Sequence, residues 1–167
     1  MEAKSVKTIK GEKQAHICTG TMSGDLREGF PFSILDVEHN EDFPMHGHEY
    51  SELNIVLSGS AKHVTEFEDY QIEEGDVFVI NGDHQHGFVN CEKLRLAIVQ
   101  FAPQELENHL DELNQLMGYH GLFDIEARSP VNMTYRQRFR LQPSELTQCK
   151  EVFSKLFNEF EDQFTYL

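Results

Sequence analysis

The spacing of turn residues between positions 32 and 101 constrains the fold of this chain most. Short apolar runs alternate there with turn residues about every eight to twelve positions, which is typical of antiparallel barrels and sandwiches. Gly59, Gly75 and the pair Asn81-Gly82 stand between runs, where tight turns need residues that tolerate positive φ. The sequence therefore predicts a mainly β fold, with strands over 32–37, 53–57, 61–67, 70–72, 77–80, 86–89 and 94–101.

Helical periodicity replaces this pattern after Pro103. Apolar residues at 106, 110, 113 and 117 predict an amphipathic helix over 103–117, and a second helix begins near Pro143. The apolar face of the second helix carries Leu146, Cys149, Val152, Phe153, Leu156, Phe157, Phe160 and Phe164. Between the helices, residues 135–141 alternate and predict a strand at a sheet edge. We expect an N-terminal arm over 1–30, a barrel over 31–102 and a helical region over 103–167.

The charge of the chain argues against nucleic acid as a direct partner. With 29 acidic and 14 basic residues, its formal net charge of -15 repels a phosphate backbone. No apolar run approaches the roughly 20 residues that span a bilayer, and no secretion leader opens the chain. We therefore expect a cytoplasmic protein that does not bind membranes. The last helix has no stop signal before Leu167, which we interpret as a cut within a longer protein.

Three histidines and one carboxylate form a candidate metal site. Along an extended strand side chains alternate, so His46, His48 and Glu52 project to one side. His86 follows the run 77–80 and its turn. If it lies on a neighbouring strand, its side chain can reach the side to which the other three project. Imidazole and carboxylate ligands suit Zn, Ni, Fe or Mn. The alternative, that these histidines only form hydrogen bonds within a pocket or to an effector, stays open.

Two spaced motifs contain these ligands: His46-x-His48-x3-Glu52-x6-Gly59 and Gly75-x10-His86-x3-Asn90. They resemble the two motifs of the cupin superfamily. Asn40 stands where the first motif usually begins with Gly, and Asn81 and Asp83 replace the usual Pro and Gly of the second. These departures affect turn geometry rather than ligation. The resemblance implies a cupin-like antiparallel barrel, a double-stranded β-helix or jelly roll, followed here by C-terminal amphipathic helices.

A longer series of segments keeps a fixed order and spacing: Phe43-Pro44-x-His46-x-His48-x3-Glu52-Leu53, Val56-Leu57-Ser58-Gly59, Gly75-Asp76-Val77-Phe78-Val79-Ile80, Leu94-x-Leu96, Phe101, and Arg140-Leu141-x-Pro143-x-Glu145-Leu146. Over about residues 30 to 165 they resemble the N-terminal sensor domain of AraC-type transcriptional regulators, with rhamnose-type and other sugar-responsive members most similar. The resemblance implies a barrel that binds a small effector, helices that pair two subunits, and a separate C-terminal domain, absent from this sequence, that reads DNA.

The resemblance leaves two classes of function. In the first, the chain is the ligand-sensing and dimerisation domain of such a regulator and binds a sugar or sugar acid. Its expected effector contacts are Tyr50, His63, His84 and Asn90. It would form a homodimer and reach DNA only through the further domain. In the second, it is a metal-dependent cupin enzyme, an isomerase or dioxygenase acting on a small polar substrate. The helical region after the barrel favours the first, since small cupin enzymes usually end near the barrel.

Overall fold

The computed structural model describes residues 16–17, 32–82, 84–107, 109–116, 119, 122–123 and 138–165, and eight strands and three helices lie within them. The strands are β1 (His16–Ile17), β2 (Phe32–His39), β3 (Phe43–Gly47), β4 (Ser51–Thr65), β5 (Asp69–Glu73), β6 (Asp76–Ile80), β7 (His86–Phe101) and β8 (Arg138–Arg140). The helices are α1 (Pro103–Glu107), α2 (Leu110–Leu113) and α3 (Pro143–Thr165). Most of the predicted N-terminal arm lies outside the described residues.

β4 and β7 form the centre of the sheet. They pair antiparallel along almost their whole length, from Ser51 opposite Phe101 to Thr65 opposite His86. β2 and β3 run in succession along the other side of β7, and β5 and β6 run in succession along the other side of β4. β1 pairs with β3 and β8 with β6, as short edge strands. The predicted runs 53–57 and 61–67 are therefore one strand, and so are 86–89 and 94–101.

The sheet folds over along a line where the central strands adopt positive φ. Gly59 (+77°) lies on β4, Asn90 (+54°) and Lys93 (+50°) lie on β7, and Gly75 (+92°) joins β5 to β6. A Cβ on Gly59 would come within 2.1 Å of the main-chain oxygen of Lys93, so only glycine fits there. The turn predicted at Gly59 is thus a bulge inside β4. This line separates the sheet into two facing layers and confirms the predicted mainly β, cupin-like fold.

The first layer contains β2, β6 and the parts of β4 and β7 that pair with them; the second contains β3, β5 and the remaining parts. Side chains alternate along each strand, so every second residue points between the layers. The core enclosed between them consists of Val56, Ala61, Ile72, Phe78, Ile80, Phe88, Leu94, Leu96 and Ile98. Both layers contribute residues to this core, and the apolar packing therefore holds them face to face.

Helix α3 packs on the outer face of the first layer. Phe153 and Phe160 are both 7% exposed and contact Ile34, Leu57 and Ala97. The broad apolar face predicted for this helix is therefore divided, because Phe153, Phe157 and Phe160 pack on the barrel of their own chain. Other members of that face point to solvent, namely Val152 and Leu156, at 64% and 40% exposure. The side chain of Phe164 lies outside the described residues.

The helix predicted over 103–117 is instead two short helices, α1 and α2. His109, between them, has non-helical backbone angles of φ −124° and ψ 15°, and the α-helix breaks there. Leu110, expected on the buried face, is 39% exposed. Met117 lies outside the described residues. None of the helices described is long and apolar enough to cross a membrane.

β8 extends the first layer at the β6 edge, as the alternating run 135–141 predicts. Phe139 pairs with Val77, and Arg140 forms ion pairs with Asp76, at 2.7 Å, and with Glu73. The amide of Leu141 donates a hydrogen bond to the main-chain oxygen of Gly75 at 2.9 Å. The chain leading into α3 is thereby attached to the connection between β5 and β6.

Candidate metal and effector site

Three histidines converge at one end of the space between the layers. His46 lies on β3, His48 directly follows β3, and His86 opens β7; one ring nitrogen from each lies within 4.8 Å of the others. His46 is half-buried, and the other two are buried. The convergence does not arise from one continuous strand, as alternation predicts, because β3 ends at Gly47 and β4 begins at Ser51. Pairing of His46 with His86 across β3 and β7 brings them together.

Two main-chain carbonyls fix the tautomers of this cluster. Nδ1 of His46 lies 3.1 Å from the oxygen of Pro44, and Nδ1 of His48 lies 2.6 Å from the oxygen of Tyr50. A carbonyl only accepts, so each Nδ1 carries the hydrogen and, in the neutral ring, each Nε2 presents a lone pair. Metal-binding histidines are held in this way, with the non-ligating nitrogen donating to a carbonyl or carboxylate.

The distance between two of the three ring nitrogens suits a metal ion. Nε2 of His48 lies 3.2 Å from Nε2 of His86. Bonds of about 2.0–2.1 Å in a tetrahedral zinc site place ligand nitrogens about 3.3 Å apart. Burial is the main factor that lowers the pKa of His46, and it lowers the pKa of His86 well below the usual value. The neutral imidazole that a metal requires is therefore the favoured form of both.

Glu52 stands beside the three histidines, at the start of β4. Its Oε1 is 3.7 Å from Nε2 of His48 and accepts a hydrogen bond of 2.9 Å from Nε2 of Gln100. Nδ2 of Asn54 lies 3.5 Å from its other oxygen. The group of ligand atoms that all lie within 4.8 Å of one another contains the three histidines but not Glu52. The two amides hold the carboxylate beside His48, where it can accept hydrogen bonds from a bound molecule or approach an ion held by the histidines.

Two of the four expected effector residues lie next to the cluster. The ring of Tyr50 stacks on that of His48, with centroids 4.1 Å apart and an interplanar angle of 4°. His63 is 1% exposed, and its Nδ1 shares a hydrogen bond of 2.7 Å with the hydroxyl of Tyr70. Its Nε2 has no hydrogen-bond partner within the described chain. Burial, with the charge of Arg138, lowers the pKa of His63 to about 3.

The other two expected effector residues do not join this group. His84 is 38% exposed at its side chain, where Nδ1 lies 2.8 Å from Oε1 of Glu66. Asn90 is exposed where the sheet folds over, and its main-chain N–H donates a hydrogen bond to Oδ1 of Asp42 at 2.7 Å. Its positive φ accounts for asparagine at this motif position, since Asn tolerates the left-handed conformation better than most residues. Both side chains therefore lie at the surface rather than in the cluster.

Sequence reasoning missed three buried polar residues of the first layer: Ser33, Asn54 and Gln100, at 0%, 0% and 3% exposure. Each occupies an inward position of an otherwise apolar strand, and this polar substitution in an alternating pattern is the signal that could have revealed them. We call the following residues the polar half of the interior: Ser33, His46, His48, Tyr50, Glu52, Asn54, His63, His86 and Gln100. We call Val56, Ala61, Ile72, Leu94 and Leu96 the apolar half.

Comparison with known proteins agrees with this architecture. Residues 34–156 match the family model described as AraC-like ligand binding domain. The HTH-type transcriptional activator RhaR of Shigella dysenteriae is 27% identical over 127 residues, and that of Escherichia coli K12 is 28% identical over 127 residues; each match covers 76% of this chain and 41% of the relative. The chain thus spans about 41% of the length of these curated relatives. Apo ToxT K231A from Vibrio cholerae shares the fold, with a TM-score of 0.50 and 14% identity over 75% of this chain and 48% of that one.

Proposed function

This chain belongs to the family of AraC-like ligand-binding domains, and from that premise we propose that it binds a sugar in its polar half, beside a divalent metal ion. The observation that carries the proposal is the set of imidazole nitrogens that converge within 4.8 Å next to a buried carboxylate. His46, His48 and His86 would hold the ion, with Glu52 as a fourth ligand. A bound Zn, Ni, Fe or Mn ion would supply positive charge that attracts the oxygen atoms of the effector.

Elemental analysis tests the metal directly. Protein purified without chelator or metal-affinity resin should contain close to one transition-metal ion per chain, and His86→Ala should lose it. His84→Ala is the matched control, because His84 lies at the surface with Glu66. Adding back metal at about 100 times its dissociation constant should stabilise the wild type by about 2.7 kcal/mol and leave His86→Ala unchanged. A metal content that is the same in all three proteins would contradict the proposed ligands.

The sugar effector is supported by the chemistry of the polar half. Sugars need several oriented polar groups together with an aromatic face. The polar half offers an aromatic face from Tyr50 and polar groups from His63 and Glu52, next to the candidate metal ligands. A thermal-shift screen of neutral monosaccharides and uronic acids should find a compound that raises the melting temperature, because a ligand specific to the native state stabilises it by mass action. Stabilisation only by metabolites that are not sugars would contradict the sugar.

We further propose that two copies associate through α3 and that the whole protein regulates transcription in the cytoplasm. The relatives are named as transcriptional activators, and Val152 and Leu156 form an exposed apolar strip on α3. Leu156→Lys should weaken self-association in sedimentation equilibrium, whereas Ser154→Lys, at an exposed position outside this strip, should not. Equal association of both variants would exclude this strip as the interface. On this proposal the acidic sensor consists of the predicted arm (1–30), the barrel (31–102) and the helical region (103–167). Contact with DNA would need residues beyond this sensor.

A metal-dependent enzyme, an isomerase or dioxygenase, is the second candidate, and the histidine cluster is the observation that favours it. The two candidates differ in the fate of the bound sugar. A sensor should bind its sugar reversibly and return it unchanged, whereas an enzyme should convert it. Incubating metal-loaded protein with each sugar that stabilises it, and then applying mass spectrometry and nuclear magnetic resonance, distinguishes them: conversion that His86→Ala abolishes would establish the enzyme.

A further inference from the structure

Four polar side chains lie side by side on the inner face of the first layer. Ser33 on β2 pairs with Gln100 on β7, and Gln100 pairs with Glu52 on β4. Asn54 follows Glu52 by two positions and therefore points the same way. All four are at least nine-tenths buried, with exposures of 0% for Ser33 and Asn54, 3% for Gln100 and 5% for Glu52. They form a continuous polar row beside the histidines.

The hydrogen bonds within the row leave two atoms unused. Nδ2 of Asn54 lies 3.5 Å from both the main-chain oxygen and Oε2 of Glu52. Both neighbours are acceptors, so the amide nitrogen faces them and Oδ1 is the atom that faces away. Neither Oδ1 of Asn54 nor Oγ of Ser33 has a hydrogen-bond partner in the part of the chain that the structure describes. Buried polar atoms without partners lower stability, so their presence indicates a partner that the described residues do not supply, such as a bound molecule.

The positions of these atoms set the size and chemistry of that partner. Ser33 and Asn54 are two strands apart and two residues out of level. Two strand spacings of about 4.8 Å and two residue rises of about 3.4 Å together amount to about 12 Å. A single sugar ring with a hydrogen bond of about 2.8 Å at each end can bridge such a distance. The row offers mostly acceptors, namely the carboxylate of Glu52 and Oδ1 of Asn54, while the Ser33 hydroxyl can donate or accept. Acceptors bind hydroxyl groups, whereas a ligand carboxylate has no hydrogen to donate to Oδ1 of Asn54.

We propose that Oγ of Ser33 and Oδ1 of Asn54 form hydrogen bonds with two hydroxyl groups of a neutral polyhydroxy effector, such as an uncharged monosaccharide. This inference rests on the proposed sugar effector and narrows it from sugars and sugar acids to neutral sugars. It also assigns to the ligand two side chains outside the cupin motifs. The polar row, on the inner face of the first layer, would therefore select the effector by its hydroxyl groups. The histidines would contact the same effector from the end of the barrel.

Calorimetric titration of the 167-residue chain tests this with four neutral sugars and two uronates. The neutral sugars are D-glucose, D-galactose, D-mannose and L-rhamnose. D-glucuronate and D-galacturonate are the charged counterparts of the first two. The neutral sugar that binds best should bind Ser33→Ala and Asn54→Leu about tenfold or more weakly. Ser51→Ala is the matched control, because this buried serine lies on the opposite face of β4. Without ligand, the melting temperature of Ser33→Ala should equal or exceed that of the wild type, since the variant removes an unpaired polar atom.

The outcomes separate this inference from the proposed function. Unchanged affinity in both variants would overturn the inference alone, and a lowered melting temperature in Ser33→Ala would then identify structural water as the partner. Tighter binding of a uronate than of its neutral counterpart would overturn the neutral class. If none of the six compounds binds the wild-type chain, the sugar effector itself is wrong and this inference falls with it.

Discussion

The two halves of the barrel interior differ in how completely the polar and apolar groups of their buried side chains find partners. In the apolar half, Val56, Ala61, Leu94 and Leu96 are 0% exposed and pack against one another. In the polar half, four buried side-chain atoms of the described chain have no hydrogen-bond partner. They are Oγ of Ser33, Oδ1 of Asn54, Nε2 of His63 and Nδ1 of His86. One half is therefore closely packed, and the other contains polar atoms that the described residues leave unpaired.

The largest effect should come from the apolar half. Leu96→Ala removes three carbon atoms from a residue with 0% exposure and should lower the free energy of unfolding by about 2–5 kcal/mol. Urea denaturation measures the loss. Leu116→Ala is the matched control and should change it by about 0.5 kcal/mol or less, because Leu116 is 56% exposed. Similar losses in both variants would show that packing in the apolar half contributes no more to stability than an exposed leucine does.

Acid should destabilise the protein through the polar half. Burial, with the charge of Arg138, lowers the pKa of His63 to about 3, from 6.5 for an ordinary histidine. Below about pH 6.5 His63 therefore binds a proton in the unfolded chain but not in the native state, and the free energy of unfolding falls as the pH falls. The loss attributable to His63 should reach about 2 kcal/mol between pH 6.5 and pH 5. Burial lowers the pKa of His86 in the same direction.

The double variant His63→Phe, Tyr70→Phe isolates this contribution. The rings of Phe78, Phe88 and Tyr70 all lie 5.0 Å from His63, so an aromatic ring fits its position. Tyr70 is changed as well because its hydroxyl would otherwise lose the hydrogen bond to His63. Urea denaturation in metal-free buffer from pH 7 to pH 5 should show a shallower decline than in wild type. An identical decline would mean that the pKa of His63 is the same in the native and the unfolded state.

A smaller effect on stability is expected when a histidine of the cluster is replaced. His86→Phe should change the free energy of unfolding by about 1 kcal/mol or less in metal-free buffer, because it removes one unpaired nitrogen while leaving Nε2 of His48 without its present partner. The same variant should lose all stabilisation by added metal. Chemical denaturation with and without the ion measures both quantities. A loss as large as that of Leu96→Ala would show that this half also acts as packing.

The smallest effect belongs to the surface, outside both halves. Arg95 forms two hydrogen bonds with Asp36, at 2.8 and 2.6 Å, and its side chain is 51% exposed. Arg95→Met should therefore lower the free energy of unfolding by about 0.2–1 kcal/mol, and less at high salt. Denaturation at low and high ionic strength measures the difference. A larger loss would require a role for Arg95 beyond this ion pair.

The strands and the three histidines that converge could be predicted because both depend on local patterns. Alternation and turn residues locate most strands, and fixed motif spacing identifies His46, His48 and His86. The continuity of β4 and β7 could not be predicted in this way, because glycine favours a hairpin and a bulge equally. Only the close approach of Gly59 to Lys93 decides between them.

Features that depend on pairing between distant segments were also beyond the sequence. Ser33 and Gln100 belong to one site because β2 and β7 pair in one particular register. Similarly, helical periodicity identifies a broad apolar face on α3 but does not show which part the barrel covers. Contact of Phe153 with Ile34 and Ala97 settles that division.

The long strands β4 and β7 tie the two layers into one cooperative unit. Each strand crosses the fold line and has hydrogen-bonded neighbours in both layers. Separating one layer would therefore break backbone pairs that continue into the other, so the central amides should exchange with solvent only when the whole sheet opens. A molecule held in the polar half would then slow amide exchange throughout the apolar half as well. On the proposed function, occupancy of the site would therefore lower the frequency with which the whole barrel opens, without requiring any new contact.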